Sequence, residues 1–495
     1  MNALVEIIRH EIAEHGPMPF ARFMELALYH PKLGYYEHDG ETIGRGGDFF
    51  TSVSVGSVFG ELLAVQFAQW LDELVLLPKG TAVESCNVKS LAPVPPHEPD
   101  STTDDTDNMD RSASSSAESV VKKSVQEFKA SQFSVNSLPG LLLHSQGGEG
   151  ESQGHLESQR PLQIVEAGAH DGRLAFDVLS WVREHRPDLL QQLEYWILEP
   201  STVRRRRQAQ TLSRFEEHIR WFTSWEFIPL KRVRGVIYAN ELLDALPVHR
   251  LGWNAAEQRW FEWAVTWEKD HFTWTKLSAV TVPSESGSPR ALACFDRRLA
   301  GRSEPPDRTL DGEVPDRGSV VGEGADHGTR GRVRSPFHLN LPPELAVALP
   351  DGFTIEVGPA AEAWWSQAAS RLAQGKLLTI DYGLLADEFF TPQRANGTLR
   401  GYHRHHVSSD LLSQVGEQDL TSHINFSALL EIGAKSGLRT EALIPQSKFL
   451  TEIVKQIERS PQSFPPWTPA RLRQFQTLTH PEHLGRPFQV LCQSR

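Results

Sequence analysis

Residues 162–174 read Leu-Gln-Ile-Val-Glu-Ala-Gly-Ala-His-Asp-Gly-Arg-Leu, an apolar run that stops at a glycine turn and restarts as a helical pattern. Leu162, Ile164 and Val165 predict a buried strand, Gly168 and Gly172 a tight turn, and residues 173–182 the helix that leaves it. A strand, a glycine turn and a helix make a ligand cradle. The glycines let backbone approach a ligand with no Cβ in the way, and the unpaired amides of the helix N-terminus attract negative groups. Glu166, at the end of the strand, favours a ligand that carries an amino group or hydroxyls over one that carries a string of phosphates. Glu199 ends the next apolar run, 193–198, where it would face the same crevice and could bond a ribose diol.

Strands and helices alternate on from this unit. A helix over 173–184, a strand over 193–199, a basic helix over 202–212, the short strand Ile219–Phe222 and another strand over 236–240 predict a mostly parallel α/β sheet with helices on both faces. Residues 248–277 break the pattern with tryptophans at 253, 260, 263, 267 and 274, which predicts an antiparallel meander serving as structural core or as a wall of the site. A further buried strand, 377–380, ends in Asp381. Acids thus close four strands, Glu166, Glu199, Glu241 and Asp381, and are expected to converge on one crevice. Upstream, apolar stripes predict helices over Ala3–His15, Phe20–Tyr29 and residues 55–77. The glycine-rich loop 44–51 reads as a packed turn or as a lid that brings in Asp48.

Two segments, 86–160 and 301–335, are rich in Ser, Asp, Glu, Pro and Gly with no sustained periodicity and are expected to be disordered insertions. They divide the chain into an N-terminal helical and Gly-Asp loop region (1–85), a first core part with the tryptophan meander (161–300) and a second core part with the C-terminal region (336–495). Fifty Lys plus Arg against 63 Asp plus Glu, a net charge of −13, argues against a general nucleic-acid binder. Cys86, Cys294 and Cys492 are too few and too scattered for a disulfide framework or a metal knuckle. No apolar run approaches the roughly 20 residues of a membrane span, so a soluble, cytoplasmic protein is expected. Homodimerisation is left open.

An ordered set of short motifs then carries a resemblance. It comprises Tyr29-His30-Pro31 with Gly34-Tyr35-Tyr36, Gly47-Asp48-Phe49-Phe50-Thr51-Ser52, Phe59-Gly60-Glu61, the run from Glu166 to Leu174, and Glu199-Pro200. It continues through Asn240-Glu241-Leu242-Leu243-Asp244-Ala245-Leu246-Pro247-Val248, Asp381-Tyr382-Gly383 and Gly397-Thr398-Leu399-Arg400-Gly401-Tyr402. Gly416 to His423, Gln446 to Leu450 and Gly485-Arg486-Pro487-Phe488 complete it. In these motifs the chain resembles the MidA-type S-adenosylmethionine-dependent methyltransferases, which include a mitochondrial complex I assembly factor that methylates an arginine.

The resemblance implies a Rossmann-like class I methyltransferase with an N-terminal helical part and an added substrate-side region. It implies S-adenosylmethionine as methyl donor, lying over Gly168 and Gly172. Glu166 would hold the methionine end, Glu199 the ribose hydroxyls, and Asn240 would join the same pocket. It further implies a protein substrate, an arginine on a subunit of respiratory complex I (NADH dehydrogenase). A guanidinium is cationic and is best oriented by carboxylates, for which Glu241, Asp244 and Asp48 are the candidates; one of them could take the departing proton. The plainer alternative has Asp244 capping a turn and Glu241 bonding backbone. His170 stands where the family usually has glycine, which makes a non-catalytic assembly factor that binds a partner protein the alternative function. The cluster Tyr402-His403-Arg404-His405-His406 with His423 has metal-ligand character, but a hydrogen-bonded network beside the crevice is expected there and no metal. Residues 204–207, all arginine, read as a solvated helix face or a docking patch.

Overall fold

The computed structural model describes residues 2–37, 51–76, 161–277, 341–403, 406–408, 410–459 and 464–495. Asp48 and the whole of both insertion segments lie outside the described residues. Three helices open the chain: α1 (Ala3–His15), α2 (Phe20–Tyr29) and α3 (Val58–Leu76). The Asn2 side chain caps α1 by accepting from the Leu4 amide, and Gly16 ends it with a left-handed φ of 85°. In α3 the stripe Phe59, Leu63, Phe67 and Leu74 is buried, as its spacing predicts, and Trp70 stacks on Phe67 at its edge.

A short β1 (Met18–Pro19) precedes the central strands β2 (Leu162–Ala167), β3 (Leu193–Leu198), β4 (Ile219–Phe222) and β5 (Val233–Asn240). Helices α4 (Arg173–His185) and α5 (Thr202–Thr211) cross over between them. The meander is β6 (His249–Asn254), β7 (Arg259–Glu268) and β8 (His271–Lys276), and β9 (Thr354–Val357) joins it. After α6 (Pro359–Arg371) come β10 (Leu372–Leu384), β11 (Arg400–His403), β12 (His406–Ser408), β13 (Asp419–Thr421) and β14 (Ile424–Asn425). Helix α7 (Phe426–Lys435), β15 (Arg439–Pro445), α8 (Gln446–Arg459), α9 (Pro469–Thr479) and β16 (Phe488–Ser494) close the chain.

The main sheet runs β15-β16-β10-β5-β2-β3-β4. Strands β10, β5, β2, β3 and β4 are mutually parallel, and β16 is inserted antiparallel between β10 and β15. The central strands β2, β3 and β5 are buried on both faces over most of their length, which is why they read as mainly apolar runs, while β4 exposes Arg220. One core lies between the sheet and α3, α4 and α8, the other between the sheet and α6 and α7. The sheet is the Rossmann-like class I methyltransferase arrangement.

The tryptophan meander packs its own core. Phe20 and Phe23 of α2 meet Trp274 and Phe272 with ring centroids 5.1 and 5.4 Å apart. Neither cavity described below takes a wall from residues 248–277.

Candidate functional site

The parallel strands all end at one edge of the sheet, and two cavities open there. The first, about 340 Å³, lies over the glycine turn between β2 and α4. Gly168 and Gly172 have φ of +74° and +84°, the left-handed region that side chains avoid, and a Cβ on Gly168 would come within 2.8 Å of Leu242 Cδ1. Glu166 is buried on this cavity's floor, where its Oε2 accepts from the Tyr195 hydroxyl at 2.7 Å. Tyr238 stands 2.6 Å behind Tyr195. Burial raises the Glu166 carboxyl from 4.5 to about 7, and the two tyrosine hydroxyls pull the other way.

Asn240 and Glu241 form the opposite lip. Asn240 Nδ2 donates to Glu241 Oε1 at 3.1 Å, while Asn240 Oδ1 is buried with no protein partner. An unmatched buried acceptor costs roughly 1–3 kcal/mol, which a donor on a ligand would recover. The glycine cradle, the acid Glu166 and the orphaned Asn240 oxygen therefore fit the amino group and hydroxyls of S-adenosylmethionine. The N-terminal part supplies Tyr29, Tyr36, Thr51 and Ser54 to the same cavity.

Two expectations are corrected here. The four strand-end acids do not all face the crevice: Glu166 and Glu241 do, whereas Glu199 and Asp381 turn to backbone amides. Glu199 is only 2% exposed, with Oε1 accepting from the Ser201 amide at 3.0 Å and Oε2 from Gln208 at 3.1 Å. A ribose at Glu199 would have to share an oxygen already in use. Asp381 accepts from the amides of Leu243 and Tyr382 at 3.0 and 2.8 Å and so anchors the loop after β5. The basic run is also not a plain solvated face. Arg204 is 12% exposed, lies 4.7 Å over the Tyr36 ring and lines the cofactor cavity, and Arg205 donates to the Glu199 carbonyl at 2.8 Å. A cation at that position is tolerated because the aromatic face and Glu199, 3.9 Å away, share its charge.

The second cavity, about 1200 Å³, lies beyond Glu241 and is bounded by the loops after β10, the strands β11 and β13, and the approach to β16. Glu241 lines both cavities. Its backbone has φ of 50°, uncommon for a residue with a Cβ, and its Oε1 accepts from the Ser52 amide at 2.9 Å. Burial pushes its carboxyl from 4.5 up to about 8, against those hydrogen bonds. Asp244, in the 3₁₀ turn Leu243–Ala245, is 3% exposed and has one oxygen, Oδ1, without a partner. Burial raises it to about 6, and the hydrogen bond from Tyr382 opposes that rise. Asp244 also accepts from the Ala245 amide of its own turn, and it lines neither cavity.

Tyr402 and His423 also line the second cavity, where a polar network was expected. Among the described residues no three His, Cys, Asp or Glu side chains come together as a metal site would require. Sequence reasoning passed over Arg394 and gave Arg400 and Arg486, although they stand in the motifs quoted above, no role; all three line the same cavity from separate segments. Their spacing in the chain carried no signal.

His170 has φ of 46°, a left-handed residue between two left-handed glycines. That geometry is a physical reason for glycine at this position. His170→Gly should remove about 1 kcal/mol of backbone strain. The expected result is a higher melting temperature with S-adenosylmethionine affinity retained or improved. A lower melting temperature would mean that the imidazole's contact with Asp171, 3.8 Å away, outweighs the strain.

Comparison with known proteins agrees with this arrangement. A family model described as "Putative S-adenosyl-L-methionine-dependent methyltransferase" matches residues 151–444, more than half of the chain. A Burkholderia thailandensis protein solved bound to S-adenosyl-homocysteine is similar over 100% of this chain and 92% of its own, with a TM-score of 0.61 and 23% identity, which speaks to the fold. The protein arginine methyltransferase NDUFAF7 of Mus musculus is 38% identical over 74 residues, and that of Danio rerio is 41% identical over 71. Those stretches are 14% of this chain and only 17% of each relative. The chain belongs to this family of S-adenosyl-L-methionine-dependent methyltransferases, with S-adenosylmethionine as its methyl donor.

Proposed function

We propose that the acceptor is an arginine side chain of a protein, and that its methylation serves assembly of respiratory complex I. The observation that carries this reading is the position of Glu241. Glu241 lines the cofactor cavity and the larger cavity at once, and the half-unpaired Asp244, buried three residues further on, is the carboxylate that would come into reach on a small shift of its turn. Two carboxylates at such a junction suit a guanidinium, whose fork of donors they can orient towards the methyl donor. The short match to protein arginine methyltransferases supports the same acceptor.

The cofactor supplies an activated methyl group on a sulfonium, so the protein's task is alignment, exclusion of water and removal of one proton. In that step a nitrogen of the guanidinium forms a bond to the methyl carbon. The carbon–sulfur bond breaks with its electron pair left on sulfur, and the surplus N–H proton passes to Glu241. Asp244 holds the remaining N–H groups, and Tyr382 fixes Asp244 by donating to it. The Asn240 oxygen and Glu166 would hold the donor's amino group.

The test uses the host's respiratory complex I. Mass spectrometry of its subunits, from cells with and without this protein, should show one arginine methylated only when the protein is present. Purified protein and tritiated S-adenosylmethionine should restore the label to the unmethylated complex. Identical spectra from both cells, with no label transferred in vitro, would leave the arginine reading without support.

A further inference from the structure

The large cavity has two unlike sides. On the strand side stands Glu241, with Asp244 buried three residues further on and lining neither cavity. On the far side three arginines gather from separate segments: Arg394 at the end of a 3₁₀ turn, Arg400 opening β11, and Arg486 ahead of β16. None of the three has a carboxylate within ion-pair distance among the described residues. Arg394 donates to the Glu388 carbonyl and the Thr391 hydroxyl at 2.8 and 3.1 Å, and Arg400 to the Leu399 carbonyl at 2.8 Å. In a chain with 63 acids and 50 bases, three arginines without an ion-pair partner among the described residues around one cavity is an unbalanced arrangement, even though the charge of Arg400 is felt by the buried Glu356.

Two other acids that line the cavity, Asp419 and Glu388, are otherwise occupied. Asp419 accepts from the Tyr36 hydroxyl at 2.8 Å, and Glu388 from the Leu385 amide at 2.7 Å. Close enough to Arg394 and Arg400 to feel their charges is His423, whose Nδ1 is buried with no protein partner. Burial, with Arg394 and Arg400 adding to it, drives its ring down to about 4, so the imidazole is neutral and free to donate to an anion. Guanidinium groups match carboxylates with paired hydrogen bonds, and such groups at the mouth of a cleft draw in the complementary charge.

We infer that the Arg394, Arg400 and His423 side of the cavity is a carboxylate subsite, so that the acceptor is a protein segment in which an acidic residue lies next to the arginine that is methylated. This rests on the arginine reading above and narrows it to acidic-flanked arginines. It also reconciles a guanidinium acceptor with a cavity that carries three guanidiniums of its own. The reacting group lies at the acidic side, and its acidic neighbour at the basic side.

Three short fluorescent peptides test this by anisotropy, with the full chain and S-adenosylhomocysteine present. One has a central arginine flanked by glutamates, the second the same arginine flanked by glutamines, and the third glutamates around a citrulline. The glutamate peptide should bind roughly tenfold more tightly than its glutamine counterpart. The double variant Arg394→Glu/Arg400→Glu, checked by its melting curve, should lose that preference while still binding S-adenosylhomocysteine. Equal binding of the first two peptides, or no binding by any of them, overturns the carboxylate subsite. If the citrulline peptide binds as well as the first and both outdo the glutamine peptide, the subsite stands and the arginine reading falls.

Discussion

Glu241→Gln should lower kcat by roughly 10²–10³-fold while leaving the Kd for S-adenosylmethionine within about threefold of the wild type. The substitution keeps the shape of the side chain. Its amide oxygen can still accept from the Ser52 and Asn240 nitrogens that now hold Glu241 Oε1. Its other atom becomes an NH₂, which cannot receive a proton and which repels a guanidinium. Activity against pH gives an independent check. Burial holds the Glu241 carboxyl at about 8 in the free protein, so it is largely protonated at neutral pH. Because kcat/KM reports groups of the free enzyme, it should climb through about pH 8 in the wild type, and that limb should vanish in the variant.

Stability should move the opposite way. The folded-state pKa lies above the ordinary 4.5, so the folded protein binds the extra proton and the stability this contributes is present below 4.5. It is lost as pH rises through about 8. At pH 9, therefore, cofactor-free Glu241→Gln should melt higher than the wild type. A variant that is inactive yet more stable in alkali cannot be explained by misfolding. Full activity in the variant would remove Glu241 from the chemistry.

Much of this was legible in the sequence. The bounds of α1, α2 and β4 coincide with those read from apolar spacing and breakers, and β3 ends one residue before the expected Glu199, because apolar spacing and the polar or glycine signals that stop it are local properties of the chain. The glycine cradle was legible for a similar reason: Gly168 and Gly172 adopt backbone angles that few other residues reach. What stayed hidden depends on contacts between distant residues. Glu199, Asp381 and Glu241 look alike in sequence, an acid at a strand end. Yet two of them cap loops, and only Glu241, held by a Ser52 amide 189 residues away, reaches both cavities. Arg204 looked like one of four solvated cations, and its burial depends on Tyr36, 168 residues earlier. The arginines at 394, 400 and 486 are scattered by loops whose lengths say nothing of where they meet.

The central sheet depends on a glycine that no motif marked. Gly375 of β10 pairs with Gly235 of β5, and their φ angles are +124° and +153°. A Cβ on Gly375 would stand 1.9 Å from the Gly235 carbonyl oxygen, and one on Gly235 would stand 2.0 Å from that of Gln163. Backbone oxygen cannot swing aside as a side-chain end can, so the strands must part or slip. Gly375 also exchanges both of its backbone hydrogen bonds with Arg495, at 2.9 and 3.0 Å, so β5, β10 and the chain end are held at one point. Gly375→Val should therefore destabilise the protein by roughly 3–5 kcal/mol, the overpacking and the left-handed strain acting together. The damage should reach the site, because the same β5–β10 register continues to Asn240 opposite Ile380, and the Glu241 amide donates to the Ile380 carbonyl at 3.0 Å. Residual folded variant should accordingly bind S-adenosylmethionine poorly. Gly352→Ala separates the two causes: its φ is +79° but a Cβ there has nothing within 4 Å, so strain alone should cost about 1 kcal/mol. Urea denaturation of both variants decides the matter, since equal losses would mean that the crowding between β5 and β10 is relieved by the backbone and that the sheet does not fix Glu241 through this pair.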